Sequence, residues 1–446
     1  MRAKGGSRPP PLSCRARVER EDTSPIMKRF SICVVGGGSF GVRFIPIFQA
    51  HPCVSEVSFA EILPERRGAV AAKFGVKRLF DSLDAALASD VDAVAIITQR
   101  HLHGPMTIAA LRAGKHVYCA VPMATELSEI EEICRLAAAT GLTYMMGETS
   151  YYYPSCIFCR ERYRSGDFGE FVYGEGEYMH DMAHGFYDAF QNTGGPDWKR
   201  VAGVPPMFYS THSASMVLAV TGARVTRISC LGWRDRDADG IFREGANLWN
   251  NPFSNETALC RTSDGGIARL NEFRRVGTGV GNSVRQSIFG TKAAFEMQAD
   301  NNHFWTTHDK QMSSLNELLD CYGFSFSEET IEAARQQEGA KGTQSDFFSG
   351  YAKIHPVWRL PKALQDLKNN GHYGSHQFLV DDFCKAVAFD LLPPVHAWEA
   401  ARYTAPGLVA HTSAVNEGKP MEVPDFGDAP AQKSRLESEN LLAACP

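Results

Sequence analysis

A β-branched run leads straight into a cluster of glycines in residues 31–41, which read SICVVGGGSFG. Three of these glycines, Gly36, Gly38 and Gly41, have the spacing G-x-G-x-x-G. The first allows a tight turn, the second lets the backbone approach a pyrophosphate, and the third lets the next helix pack close to the strand. The N-terminus of that helix faces the phosphate charge. This stretch therefore predicts a strand, a turn and a helix that bind a dinucleotide.

An acidic residue follows at the distance that such a turn requires. Glu61 ends the next β-branched run, 20 residues after the last glycine of the turn. A carboxylate at this position accepts hydrogen bonds from the adenine ribose and repels a ribose phosphate, so NAD is favoured over NADP. Arg66 and Arg67 follow closely and keep NADP as the alternative. The turn residues Ser39 and Phe40 are predicted to contact the same cofactor.

Short β-branched runs alternate with helical patterns between residues 30 and 147. The predicted strands are 31–35, 56–60, 92–97, 116–119 and 143–146. Such alternation indicates an α/β fold in which crossover helices join the strands of a doubly wound parallel sheet. We therefore predict a Rossmann domain over residues 27–148.

The pattern changes beyond residue 150. Alternating segments predict the strands of a large, mostly antiparallel open sheet at 170–179, 224–233, 256–262 and 267–273. Helical patterns at 376–388 and 397–415 are expected to return and pack on the rest of the chain. We therefore predict a second, α+β domain over residues 149–426.

The two ends of the chain lack apolar periodicity. Residues 1–26 are rich in Arg, Pro, Gly and Ser, so we predict a disordered tail and expect Met27 to be the functional start. Deleting residues 1–26 should then leave folding and activity intact. Residues 427–446 are predicted to be a second loose tail.

The composition excludes several classes of protein. Of 446 residues, 44% are hydrophobic and 22% are charged, close to the averages of soluble globular proteins. The formal net charge of -5 provides no basic field for nucleic acid or an anionic membrane. No run approaches the roughly 18 apolar residues that a membrane span needs. We expect a soluble cytoplasmic protein.

The twelve cysteines do not have the density of a disulfide scaffold, and most lie singly within apolar runs. This pattern predicts buried, reduced thiols. Cys156 and Cys159 have the spacing of a metal or redox pair. Because no second pair completes four zinc ligands, and because the same spacing occurs on one face of a helix, we predict no metal site.

Two further stretches carry a family resemblance, TQRHLH at residues 98–103 and AGKHVYCAVP at residues 113–122. With later matches between 374 and 424, the chain resembles the glucose-fructose oxidoreductase and inositol dehydrogenase family (Gfo/Idh/MocA) over nearly all of residues 30–426. The resemblance implies a Rossmann domain followed by an α/β domain with a large open sheet. It also implies a homo-oligomer, a dimer or tetramer, formed through that sheet.

The resemblance assigns cofactor contacts but leaves the catalytic set incomplete. The residues it assigns to the cofactor are Gly36, Gly38, Gly41, Glu61, Thr98 and His103. A helix-capping or core histidine is the alternative for His103. The family's lysine beside the reacting hydroxyl falls here on Val121, and its aspartate falls on Phe208. Since neither side chain exchanges a proton, only His212 remains of the usual set.

Two other segments offer acid and base groups. In residues 175–181, the two-residue period of a strand puts Tyr178 and His180 on one face. Tyr209 and His212 are three residues apart at the start of a predicted helix, whose dipole favours a neutral, proton-accepting histidine. We predict catalytic roles for these four side chains, with ordinary strand or core packing as the alternative.

These pairs, together with Glu148 after the fifth strand, resemble the NAD-dependent glycosidases of the family, which also lack the lysine. The resemblance implies that NAD is held near Glu148 and that the enzyme oxidises a ring hydroxyl of a sugar or sugar derivative. Either the ketone is released, as by a dehydrogenase, or it is transient and permits elimination of the glycosidic group. A non-catalytic NAD-binding sensor is a third alternative. The balanced charge of the chain suits a neutral carbohydrate as the small-molecule partner.

Overall fold

The structure is a computed structural model. It describes residues 28–277, 284–298, 302–309, 311–320, 350–367, 371–431 and 433–436. The predicted tail at residues 1–26 lies outside the described residues, as does the end of the second tail from residue 437.

The N-terminal part of the chain forms a six-stranded parallel sheet. Its strands are β1 (Phe30–Val35), β2 (Val54–Ala60), β3 (Leu79–Phe80), β4 (Ala93–Ile96), β5 (His116–Cys119) and β6 (Tyr144–Met146). Their order is β3-β2-β1-β4-β5-β6, so the sheet is wound in opposite directions on either side of β1 and β4. Dinucleotide-binding sheets open their crevice at this point. The predicted Rossmann sheet is confirmed, and β3 is the short strand that the sequence pattern missed.

The apolar run that precedes the glycines is explained by burial on both faces of this sheet. Ile32 and Val34 enter one hydrophobic core, whereas Cys33 and Val35 enter another on the opposite face. A strand buried on both faces needs no polar alternation. The local pattern of β1 therefore follows from its central position.

Helices connect and cover the strands. They are α1 (Phe44–Ala50), α2 (Pro64–Phe74), α3 (Leu83–Leu87), α4 (His103–Arg112), α5 (Leu127–Thr140), α6 (Pro154–Arg164), α7 (Tyr187–Gly194), α8 (Trp198–Ala202), α9 (Thr211–Thr221), α10 (Asn316–Leu319), α11 (Lys362–Gln365), α12 (Ser375–Phe389) and α13 (Ala397–Val415). The two late helices that the sequence predicted are α12 and α13.

The second sheet has nine strands. They are β7 (Phe171–Met179), β8 (Val225–Arg234), β9 (Phe253–Thr262), β10 (Ile267–Phe273), β11 (Val284–Gly290), β12 (Ala293–Met297), β13 (His303–Thr307), β14 (Met312–Ser314) and β15 (Met421–Glu422). The order is β14-β13-β12-β11-β7-β10-β9-β8-β15, and only the β7–β10 pair is parallel. The prediction of a large, mostly antiparallel sheet is confirmed, although the sequence located only β7 to β10.

A glycine in β7 lets α9 lie directly on this sheet. A Cβ added at Gly176 would be 1.9 Å from the carbonyl oxygen of Ser213. Any larger residue would push α9 outwards, and with it His212 in the first turn of that helix. Close packing here therefore sets the position of one predicted catalytic side chain.

Helix α12 returns to the first domain. Phe383 on this helix makes edge-to-face contacts with Phe30 of β1 and Phe48 of α1, at ring-centroid distances of 6.2 and 6.4 Å. Asp381 on the same helix lies 3.2 Å from His51, which is also fully buried. Helix α12, which is far from the Rossmann sheet in the sequence, thus completes one hydrophobic core of the Rossmann domain.

Part of the predicted C-terminal tail lies against the body of the protein. The backbone N–H of Leu392 donates to the carbonyl of Ser434 at 2.9 Å, and Leu436 donates to the carbonyl of Leu392 at 2.9 Å. Residues 434–436 are therefore held by backbone hydrogen bonds.

The described cysteines are all buried and free of disulfides. Cys156 and Cys159 lie in α6, and burial raises the pKa of the Cys156 thiol to about 12. Such a thiol is not a reactive one at neutral pH. Among the described helices, none has the length and apolarity of a membrane span.

Candidate active site

A cavity of about 590 Å³ is lined by residues of both the Rossmann domain and the second domain. Its walls include twelve of the thirteen site residues that the sequence predicted, namely Gly36, Gly38, Ser39, Phe40, Gly41, Glu61, Thr98, His103, Tyr178, His180, Tyr209 and His212. We call the part around the glycine turn and Glu61 the cofactor end. The part around Tyr178, His180, Tyr209 and His212 is the reaction end.

The glycines of the cofactor end are required by geometry. Gly36 has a φ of +106°, and a Cβ there would lie 2.3 Å from the carbonyl oxygen of Ile97. A Cβ on Gly41 would lie 2.5 Å from the carbonyl oxygen of Gly36. A Cβ on Gly38 would lie 3.3 Å from the Thr193 methyl, which is a tight contact with a side chain but not with the backbone. This cradle admits the backbone approach that a pyrophosphate needs.

Glu61 is fixed at the rim of this cradle. Its carboxylate accepts the backbone N–H of Gly37 at 2.8 Å and that of Leu63 at 3.0 Å, and its side chain is almost fully buried. Arg66 lies 3.7 Å from the same carboxylate. Because a carboxylate has about four acceptor positions, Glu61 retains capacity for ribose hydroxyls. The turn and Glu61 together fit the adenosine and pyrophosphate of NAD.

His103 ties two loops of the Rossmann domain together. Its Nδ1 lies 2.8 Å from the carbonyl oxygen of Pro122, and its Nε2 lies 3.2 Å from that of Thr98. Burial lowers the pKa of His103 to about 4, so the ring is neutral. The ring thus joins the loop after β4 to the loop after β5 at the floor of the cavity.

At the reaction end, His212 is paired with a buried carboxylate. Its Nδ1 lies 2.6 Å from Oε1 of Glu148, and the Ser150 hydroxyl lies 3.4 Å from the same nitrogen. Burial alone would raise the pKa of Glu148, but the charge and hydrogen bond of His212 lower it below its usual value. The sequence placed Glu148 at the cofactor, whereas the structure places it behind His212, off the cavity wall.

The other predicted catalytic side chains surround His212. The ring of Tyr178 is 4.7 Å from that of His212, and the ring of Tyr209 is 5.1 Å away. His180 lies 5.5 Å from Tyr178 and stacks on Phe186 at 4.0 Å. The structure therefore brings the two predicted pairs, which come from separate elements, into one cluster.

Burial keeps two side chains of this cluster, Tyr178 and His180, uncharged. It raises the pKa of Tyr178 well above 10. Burial, aided by the charge of Arg274, lowers the pKa of His180 to about 3. Tyr178 is therefore a phenol, and His180 a neutral imidazole, across the physiological pH range.

A buried ion pair supports the cluster, and the sequence analysis missed it. Glu272 at the end of β10 lies 2.8 Å from Arg274 and accepts a hydrogen bond from Ser213 at 2.6 Å. Burial raises the pKa of Glu272 to about 7, despite Arg274. The available signal was the strand period, which puts Glu272 on the same inward face as the buried Leu270.

The position that would carry a lysine is apolar. Val121 lines the cavity, and Phe208 packs edge-on against His411 at 5.4 Å. Among the described residues that line the cavity, none is a lysine. The described part of the chain also contains no cluster of three or more His, Cys, Asp or Glu side chains able to hold a metal ion.

Residues 30–148 match a family model described as an oxidoreductase family with an NAD-binding Rossmann fold. This is the Gfo/Idh/MocA family that the sequence resembles, and its model covers the Rossmann domain. The prediction of NAD is thereby confirmed, and the glycine turn and Glu61 are the features of this chain that fit it.

Curated proteins that are similar to this chain differ in their names. A glycosyl hydrolase family 109 protein of Streptomyces filamentosus is 24% identical over 432 residues, which are 91% of this chain and 79% of the relative. A 4-carboxy-2-hydroxymuconate-6-semialdehyde dehydrogenase of Sphingobium sp. is 33% identical over 137 residues, 30% of this chain and 44% of the relative. Of these two relatives, the one that matches along most of the chain is thus named a glycosyl hydrolase.

Among solved structures, levoglucosan dehydrogenase in complex with NADH and levoglucosan has a TM-score of 0.65 to this chain at 16% identity. The match covers 89% of this chain and 100% of that one. Both domains therefore share the fold of that structure.

Proposed function

We propose that this chain oxidises a ring hydroxyl of a sugar or sugar derivative at the reaction end of the cavity. The observation that carries the proposal is the His212–Glu148 pair, with 2.6 Å between Nδ1 and Oε1. Of this pair, His212 lies on the wall of the cavity that also contains the glycine turn. Tyr178 and Tyr209 flank the histidine. A base, two phenols and a dinucleotide cradle then share one space.

The residues that would hold NAD are the glycine turn, by its backbone amides, and Glu61, by its carboxylate. Bound NAD supplies a hydride acceptor for the carbon that bears the hydroxyl and, in a redox-neutral reaction, returns the hydride at the end. Thr98 and His103 complete the wall beside it.

His212 is the residue best placed to take the hydroxyl proton. Glu148 accepts the hydrogen on Nδ1, which fixes the tautomer and leaves the lone pair of Nε2 for a proton. Tyr178 is held as a phenol, so it orients or donates to an oxygen and is a poor base. Glu148 acts through His212, and we assign it a positioning role.

A second candidate function is the NAD-dependent glycosidase. Two observations favour it: the lysine position is Val121, and the relatives matched along most of the chain are named glycosyl hydrolase family 109 proteins. In this reaction a transient ketone acidifies the neighbouring C–H. His212 first passes the hydroxyl proton to solvent and then removes the C–H proton, while the glycosidic oxygen leaves and takes up a proton. Water then adds to the resulting double bond.

Incubation with NAD, free sugars and aryl glycosides separates the candidates. Net NADH from free sugars supports the dehydrogenase. Aglycone release without net NADH, with exchange of the C2 hydrogen in deuterated water, supports the glycosidase. Binding of NAD with neither reaction would refute both enzymes and support the non-catalytic sensor. The double variant His180→Ala, His212→Ala should then leave the cellular function of the protein unchanged.

We further propose a cytoplasmic homo-oligomer that pairs through the outer face of the nine-stranded sheet. Leu231 and Trp233 on β8 and Leu259 on β9 lie on that face and are exposed by 65%, 48% and 56%. Light scattering of the purified chain should give a dimer or tetramer. Leu231→Glu should dissociate it, whereas a monomeric starting protein would contradict the proposal. Fractionation of cells tests the location.

A further inference from the structure

We propose that Arg100 binds an anionic group of the substrate, the carboxylate of a sugar acid, at the reaction end of the cavity. This inference rests on the proposed function, whose substrate class it narrows. It concerns a residue that none of the predicted roles includes.

Arg100 follows β4 and is held over aromatic rings of the reaction end. Its guanidinium carbon lies 4.3 Å from the ring centre of Tyr209, 5.0 Å from that of Phe190 and 5.2 Å from that of Phe186. Phe186 also carries the stacked ring of His180. Contact with ring faces restrains a guanidinium without using its N–H donors. The three rings therefore hold the Arg100 guanidinium in place before any ligand binds.

No acidic residue neutralises this cation within the described part of the chain. The side chain of Arg100 makes no hydrogen bond or ion pair with another described residue, and its Nε is buried without a partner. Arg274 packs on the rings of Tyr209 and Phe186 as well, but it is paired with Glu272 at 2.8 Å. Two arginines thus share one aromatic cluster, and among the described residues only Arg274 has a counter-ion.

The described charged residues of the cavity wall leave Arg100 without a counter-ion at the reaction end. Among the described lining residues, Glu61 is the only carboxylate, and it lies at the cofactor end. Arg66 lies beside Glu61 and belongs to the cofactor end as well, and Arg43 lies two residues beyond the glycine turn. A neutral sugar would leave the Arg100 guanidinium desolvated and unpaired, which costs free energy, whereas a carboxylate accepts two parallel N–H groups.

The local charge therefore differs from the expectation drawn from the net charge. The balanced composition suited a neutral carbohydrate, but a net charge of -5 averages over the whole surface. Recognition depends on the few charges that a ligand meets. At the reaction end that charge is positive.

The test is calorimetric binding to the full chain saturated with NAD, using D-glucuronate, D-galacturonate, D-glucose and D-galactose as probes. We expect at least one acid to bind roughly 10- to 100-fold more tightly than its neutral counterpart, the range of a charge-assisted hydrogen bond. Arg100→Gln should abolish this preference, and Arg100→Lys should restore part of it, since charge returns without the planar fork. Arg162→Gln is the matched control, because Arg162 also lies over a ring, that of Phe158, but on the surface.

Three results would overturn the proposal. They are equal binding of acids and neutral sugars by the wild type, binding of none of the probes, and an acid preference that survives in Arg100→Gln. Weaker NAD binding by Arg100→Gln, with unchanged sugar binding, would assign Arg100 to a cofactor phosphate instead. Turnover is followed separately, so acid binding without any reaction would contradict the proposed function and leave this inference standing.

Discussion

The two ends of the cavity are built in different ways. The cofactor end consists of one continuous turn, Gly36–Gly41, and one carboxylate held by backbone amides. The reaction end consists of side chains from the segments 148–150, 178–180, 209–212 and 272–274. A continuous site depends on local backbone shape, whereas a dispersed site depends on how remote segments pack. The two ends should therefore fail differently when single residues are changed.

The largest effect is expected from His212→Asn at the reaction end. Loss of the base should lower turnover of the substrate found in the sugar panel by roughly 10²- to 10⁴-fold. NAD affinity should stay unchanged, because the cofactor end is a separate set of residues. Steady-state kinetics and NAD titration test both points. His308→Asn, on the exposed surface, is the control, and a parallel loss of NAD binding would break the separation of the two ends.

Glu272 gives the reaction end a dependence of stability on pH. Its pKa is about 7 in the folded protein against 4.5 for an ordinary glutamate. The folded state holds the proton more tightly, so this stabilisation is complete below pH 4.5 and is lost as the pH rises through 7. The wild type should lose about 3 kcal/mol more free energy of unfolding across this window than Glu272→Gln.

Urea unfolding on both sides of that window measures the difference. Glu131→Gln, an exposed change on α5, should leave the profile of the wild type unaltered. If the free energy of unfolding varied with pH in the same way in the wild type and in Glu272→Gln, the prediction would be wrong, and Arg274 would keep Glu272 ionised.

At the cofactor end, stability and NAD binding should be sensitive to added side-chain volume, because no residue there is assigned a proton transfer. In Gly36→Ala, the new Cβ would lie 2.3 Å from the Ile97 carbonyl oxygen at a φ of +106°. We expect a loss of about 1–3 kcal/mol of stability together with weaker NAD binding. Gly68→Ala in α2 meets nothing within 4 Å and should stabilise the chain by about 0.5–1 kcal/mol. Thermal melts with and without NAD distinguish the two, and a silent Gly36→Ala would refute the steric argument.

The smallest effect is expected from Glu61→Gln. The amide removes the negative charge but keeps the shape, so NAD affinity should fall by about tenfold. NADP affinity should rise relative to NAD, because the repulsion of a ribose phosphate is gone and Arg66 is near. Titration with both cofactors gives the ratio. An unchanged ratio would show that the carboxylate does not select the cofactor.

Local patterns predicted most of the fold. The apolar runs around β1, β2, β4, β5 and β6 and the alternation of β7 to β10 are properties of a few consecutive residues, and the structure agrees with them. Strand β3 was missed because two residues carry no periodicity. Strand β15 was missed for the same reason, since it has two residues and pairs with β8 from the far end of the chain.

The sequence predicted which residues belong to the candidate site but not which of them contact one another. Tyr178 and His180 share a face by strand period, and Tyr209 and His212 are close by helix period. The pairing of Glu148 with His212 joins residues 64 apart in the chain, so no local pattern contains it. Glu148 was accordingly placed at the cofactor.

The sequence by itself determined the dinucleotide turn, because glycine spacing and a following carboxylate act through the backbone over a short stretch. Only the tertiary structure decided which side chains face one another across the reaction end. Glu148 behind His212, Glu272 against Ser213, and Arg100 without a described counter-ion are such relations. They arise where elements pack, and the energy of a buried charge depends on neighbours that the sequence places tens to hundreds of residues away.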